Sequence, residues 1–139
     1  MRWRVEPGQF ALLGFEGELP ERVLRGALAH EPVQLIREGG ETSLLIEEQQ
    51  ARQLAGSLEG ARLEAPLAWV RFELAMEWEL VGFLAHVTGA LAERGIPLGA
   101  VCGYSRDHLF VPLVHLESAR AVLSELFGPE QAEPRPAAD

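Results

Sequence analysis

The sequence predicts a mixed α+β protein built from two β-α-β-β-α units, and three observations carry that expectation. Residues 69–76, "WVRFELAM", alternate apolar and polar positions as a half-buried strand does, and an apolar pattern at helical spacing follows them. Two β-rich runs around a short polar turn come next, and then a second amphipathic stretch. The first half of the chain repeats this order, displaced by roughly 60 to 67 residues, which is the mark of an internal structural repeat.

In chain order, "QFALLGF" (9–15) reads as the first strand. Pro20 sits where a helix would start, with Val23, Leu24, Ala27 and Leu28 as its apolar side. "PVQLIRE" and "ETSLLIEE" flank Gly39-Gly40, a strong two-residue hairpin signal, and a helix from Glu48 to about Ser57 follows. In the second half, strand 69–76 leads into a helix over Leu80 to Arg94, with Leu80, Phe83, Leu84, Val87 and Leu91 on one side. "PLGAVCG" and "HLFVPLV" form a hairpin. Leu116, Ala119, Val122, Leu123, Leu126 and Phe127 then make a helix stopped by Gly128-Pro129. A β-α-β-β-α unit closed on one sheet is the split-βαβ, ferredoxin-like arrangement, with antiparallel sheets packed by helices. Each copy has a marginal core alone, which gives a reason for their fusion.

Composition narrows the function. The chain has 139 residues, a net charge of −9 and no lysine, and its twelve arginines are scattered singly. A nucleic-acid footprint needs a basic face, so no nucleic-acid partner is expected. Without lysine, Schiff-base chemistry and a phosphate-loop lysine are excluded. The longest uncharged apolar run, "LVGFLAHVTGALA", is too short to span a bilayer, and one cysteine fits a reducing cytoplasm. The absence of asparagine and the use of arginine for lysine fit a GC-rich genome and a thermophilic source.

The segment "EWELVGFLAHVTGALAERGIPLGAVCGYSRDHLFVPLVHLESARAVL" carries a family likeness at Gly82, Leu84, Ala85, Leu91, Ala92, Gly95, Ile96, Tyr104, Asp107 and Val111. It resembles the ACT domain, specifically the small bacterial proteins with two ACT-like units. The likeness covers roughly Glu64 to Leu126 and extends more loosely through "FALLGF" and "ETSLLIEE". It implies an N-terminal ACT-like unit over 1–62 and a C-terminal ACT domain over 63–128, and the Pro- and Ala-rich composition of 129–139 predicts a disordered tail. It also implies a regulatory, non-catalytic module. Many such domains bind an amino acid at the first strand-to-helix loop and act in a homo-oligomer or on a partner protein. Carried onto this chain, the ligand-binding residues are Glu77, Trp78, Glu79, Leu80, Val81, Gly82 and Gly99. Free N–H groups at the helix start would hold a carboxylate, and Gly82 would let it approach. The loop departs from the family pattern at Glu77, Glu79 and Val81, and the second strand at Cys102-Gly103. Glu77 and Glu79 either complement the positive end of the helix or receive an ammonium group, so a cationic or zwitterionic ligand is expected.

The hairpin gathers Cys102, His108 and Asp107, a set that invites an enzymatic reading. With Ser105-Arg106 as a two-residue turn, Cys102 would face Leu109 and Gly103 would face His108. Cys102 and His108 then point to opposite sides of the sheet, and Cys102 reads as a buried small apolar residue. "GYSRD" lacks the final glycine of a nucleophile elbow, and the four histidines have no i,i+4 pairing for a metal. No catalytic residue, metal or cofactor is expected. Trp69, Arg71 and Glu73 occupy the strand face opposite the apolar one and are expected at the surface. A ligand-free interaction module of the same fold is the alternative function.

Overall fold

The structure, a computed structural model, describes residues 1–73 and 80–132. By contact the chain divides into two units, Gly8–Leu67 and Met1–Pro7 with Ala68–Asp139.

In the first of these, strand β2 (Phe10–Glu16) is followed by helix α1 (Glu21–Leu28), strands β3 (Gln34–Glu38) and β4 (Glu41–Glu47), and helix α2 (Glu48–Ser57). The opening residues of β5 (Arg62–Phe72) supply the last strand, giving the spatial order β3-β4-β2-β5. β2 pairs antiparallel with β4, Leu13 opposite Leu44, and with β5, Leu13 opposite Leu63. Alternation drives the packing: Ala11, Leu13 and Phe15 of β2 meet Leu44 and Ile46 of β4 and Ala51 of α2 in one core. The β3–β4 turn uses Gly39 and Gly40 at positive φ (57° and 88°), the conformation that two-residue hairpins require. The Glu47 carboxylate accepts from the Gln49 and Gln50 N–H groups and so caps α2.

The second unit contains strand β1 (Trp3–Val5), the closing residues of β5, helix α3 (Phe83–Glu93), strands β6 (Gly99–Cys102) and β7 (Asp107–Pro112), a 3-10 turn (Leu113–His115) and helix α4 (Leu116–Phe127). β1 lies beside β5, with β7 and then β6 on the other side. Each unit is therefore a ferredoxin-like α+β arrangement with four strands and two helices. Trp3, Val70, Phe72, Val87, Leu91, Leu109, Val111, Val122 and Leu123 are all buried in this unit's core. Phe72 meets Phe83 and Phe127 edge-on, at ring distances of 5.0 and 5.9 Å. Arg94, just after α3, donates two 3.0 Å bonds to the carboxylate of Glu125 on α4.

Several local expectations change. The strand expected from Trp69 begins at Arg62, while its expected end, Leu74 to Met76, lies outside the described residues. α3 starts at Phe83, because Gly82 takes a left-handed conformation (φ 91°) that ends the incoming loop. β1 is an added strand. Trp3, Arg4 and Val5 pair with Phe72, Arg71 and Val70, and the Trp3 indole N–H donates to Gly128 O at 2.9 Å. Glu130 accepts from the Val5 N–H and the Gln131 N–H donates to Trp3 O, so the residues just after α4 are tied to β1. Residues 133–139 lie outside the described set.

The surface expectation for the outer strand face also needs correction at two positions. Trp69 and Arg71 are half-buried, because other side chains cover them. Arg71 lies over the Trp69 ring, and Glu6 bridges Arg4 (2.6 Å) and Arg71 (3.5 Å). Among the described residues, no helix is long and apolar enough to cross a membrane.

Candidate functional site

The β6–β7 hairpin sets the wall of the candidate site, and its register differs from the expected one by two residues. Cys102 faces Asp107, Val101 faces His108 and Ala100 faces Leu109. The loop is thus four residues, Gly103 to Arg106, closed by a 2.9 Å bond from the Gly103 N–H to Arg106 O. A shift of two keeps the side-chain parity, so Cys102 and His108 still project from opposite faces. His108 cannot activate the thiol.

The burial of Cys102 does not hold: the thiol is exposed. β6 is an edge strand and Cys102 is its last residue, so no neighbouring strand among the described residues covers that side. Rapid reaction of the native protein with a thiol reagent is therefore expected, at a rate close to that of the unfolded chain. Labelling that becomes fast only on unfolding would return Cys102 to the core.

A cleft of about 340 Å³ opens between this hairpin and the start of α3. One wall is Leu80, Gly82 and the first turn of α3, Phe83 to Ala85. The other is Cys102, Gly103, Tyr104, Arg106 and Asp107. The first α-helical bond runs from the His86 N–H to Gly82 O (2.9 Å), so the N–H groups of Phe83, Leu84 and Ala85 precede the helical ladder and have no intrahelical acceptor. They present partial positive charge to the cleft. A Cβ built on Gly82 would meet nothing within 4 Å, so the backbone here is open to an approaching group.

Arg106 and Asp107 are both half-buried, and neither has an ion-pair partner among the described residues. The cleft thus offers a cation, an anion and a helix N-terminus within one concave surface. Among the described residues no group of three or more His, Cys, Asp and Glu could hold a metal ion.

The residues expected to bind ligand fall into three groups. Leu80 and Gly82 line the cleft, and Val81 between them is exposed at 92% without lining it. Gly99 opens β6 opposite Phe110, away from the cleft. Glu77, Trp78 and Glu79 lie outside the described residues. Sequence reasoning placed Arg106 in the two-residue turn and weighed Asp107 only as part of an enzymatic set with Cys102 and His108, so neither was assigned to the ligand site. Asp107 carried a usable signal, being the single aspartate before the C-terminal residue of the chain.

A second concavity, of about 540 Å³, lies between α1 and α2, with His30, Glu31, Glu47 and Gln50 among its lining. There the Glu47 carboxylate is spent on capping α2, accepting from the Gln49 and Gln50 N–H groups.

Residues 63–125 match the ACT domain family. Among solved structures, the chain is similar to protein Atu0741 from Agobacterium tumefaciens, with a TM-score of 0.74 and 18% identity over 93% of this chain and 90% of that one. It is also similar to VC0802 from Vibrio cholerae, described as a protein of unknown function and possible transport protein (TM-score 0.66, 26% identity, 87% and 85% covered). The regulatory subunit of aspartate kinase from Thermus flavus is a third relative in fold (TM-score 0.69, 16% identity, 91% and 97% covered). No curated protein matches this chain.

Proposed function

Because residues 63–125 match the ACT domain family, we propose that this chain is a regulatory protein that binds a small amino-acid ligand and performs no chemistry of its own. The observation that carries the reading is the cleft at the start of α3, lined by the first-turn residues Phe83 to Ala85, Arg106 and Asp107. A volume of about 340 Å³ is of the size that small-molecule sites occupy. In the proposed pose the ligand carboxylate rests on the N–H groups of Phe83 to Ala85, as anions do at helix N-termini. Its ammonium group faces Asp107. A zwitterion satisfies both ends, and a cationic side chain adds to the attraction. Occupancy would be read out by a second copy of this chain or by a partner protein, as the regulatory-subunit likeness suggests.

Calorimetric titration with the common L-amino acids, repeated on the Asp107→Asn variant, tests the pose. At least one amino acid is expected to bind the wild type, and the variant is expected to lose about tenfold in affinity, or about 1.4 kcal/mol. Binding of equal strength to Asp107→Asn would remove Asp107 from the site.

A further inference from the structure

His108 lies directly behind the wall of the cleft. Leu109 and Val111 enter the helix-covered core of their unit, so His108 and Phe110 alternate onto the opposite sheet face, where Trp69 and Arg71 also lie. There the Trp69 indole N–H donates to His108 Nδ1 at 3.2 Å. An imidazole nitrogen that accepts a hydrogen bond is unprotonated, so the ring proton resides on Nε2.

The Nε2 edge rests against the loop that lines the cleft. A Cβ on Gly103 would stand 3.3 Å from His108 Nε2 and 2.9 Å from Arg106 O, so only glycine fits between the ring and the turn. Three charges act on the ring: Arg106 and Asp107 from the hairpin, and Arg71 from β5, which is paired to Glu6 after β1. Arg106 and Asp107 are also the two charged residues of the cleft. Burial first, and then Arg106 and Arg71, hold the imidazole below the ordinary histidine range against the opposing pull of Asp107. The ring is accordingly neutral at pH 7.

We propose that His108 is a proton-operated latch on the cleft wall: neutral, it holds Trp69 and the 103–107 turn in the arrangement described, and protonated, it releases Trp69, repels Arg106 and draws Asp107 toward itself. A protonated imidazole has two donors and no acceptor, so it cannot keep the Trp69 bond. It also competes for the carboxylate that faces the ligand ammonium. The consequence for ligand affinity rests on the proposed function of the cleft, whereas the rearrangement of the wall does not.

The sign follows from the lowered protonation point. The unfolded chain binds the proton more readily, so the stability linked to neutral His108 is fully present above the ordinary histidine value. It is lost as pH falls through the depressed one. By reciprocity, a zwitterion that neutralises Asp107 should lower the protonation point further.

The test is an amide and indole nuclear magnetic resonance titration of the full chain from about pH 7.5 to about pH 5, on wild type and His108→Gln. Glutamine retains an acceptor for the Trp69 N–H but does not titrate. In wild type, the Trp69 indole and the amides of residues 103–107 are expected to move together with the His108 ring, with one midpoint below the ordinary histidine value. In His108→Gln they should stay still. Hairpin signals that ignore the ring, or that titrate equally in the variant, would overturn the latch. A calorimetric arm uses L-lysine at both ends of the range. Its affinity should fall about fivefold or more on acidification in wild type and stay level in His108→Gln. A pH-independent affinity in wild type would remove the link between latch and ligand. Absence of L-lysine binding at every pH would count against the proposed pose, and the titration alone then decides the latch.

Discussion

Replacing Trp3 by alanine is expected to destabilise the C-terminal unit by about 3–5 kcal/mol, the range for removing a buried aromatic side chain. Trp3 is fully buried. Its strand completes the sheet beside β5, its indole N–H holds Gly128 O at the end of α4, and its carbonyl receives the Gln131 N–H. Alanine would leave a cavity among Val70, Phe72 and the α4 residues and an unpaired carbonyl at the helix end. Small domains have about 5–15 kcal/mol in all, so the loss takes a large fraction of the unit's stability. Chemical denaturation followed by near-ultraviolet circular dichroism reads the effect. For the same reason a chain beginning at residue 63 should fold poorly, since it lacks the edge strand. A loss of less than about 1 kcal/mol in Trp3→Ala, within the reach of a surface change, would show that β1 contributes little.

Where the sequence was legible, the signal was periodic and local. Helix α2 was bounded by its own residues, and α4 by its apolar stripe and Gly128, and both lie where the pattern places them. The β3–β4 turn followed from Gly39-Gly40 because no other dipeptide supplies two positive-φ positions so readily. β1 was illegible for the opposite reason. "WRV" is three residues long, too short to show alternation, and it is a strand because β5 offers it an edge. In the same way the first residues of β5 contain Pro66, which weakens any strand reading made from sequence alone.

The site was legible in part. Its helix side followed from the position of Gly82, and its hairpin side did not, because that side depends on register. A two-residue turn and a four-residue loop are both compatible with "CGYSRDHL". What selects the longer loop is the close approach of Gly103 to Arg106 O and His108, a contact between residues whose spacing shows no pattern. That same choice brings Arg106 and Asp107 to the cleft and leaves Cys102 uncovered on the edge strand.

The most direct measurement of the central claim is thermal unfolding of the wild-type protein in the presence of each L-amino acid at millimolar concentration. A ligand that binds only the native state, present at about a hundred times its dissociation constant, stabilises it by about 2.7 kcal/mol. For a chain of this size that corresponds to a rise of about 5–10 °C in the melting temperature. The cleft combines the N–H groups at the start of α3 with the Asp107 carboxylate, so the largest rise is expected from cationic or neutral zwitterions. Dicarboxylic amino acids should give less, because a second carboxylate would meet Asp107. Asp107→Asn should reduce the rise by removing the carboxylate that faces the ligand ammonium. A melting temperature that no amino acid moves would contradict the sensor account, and the chain would then be an interaction module whose cleft holds no small molecule.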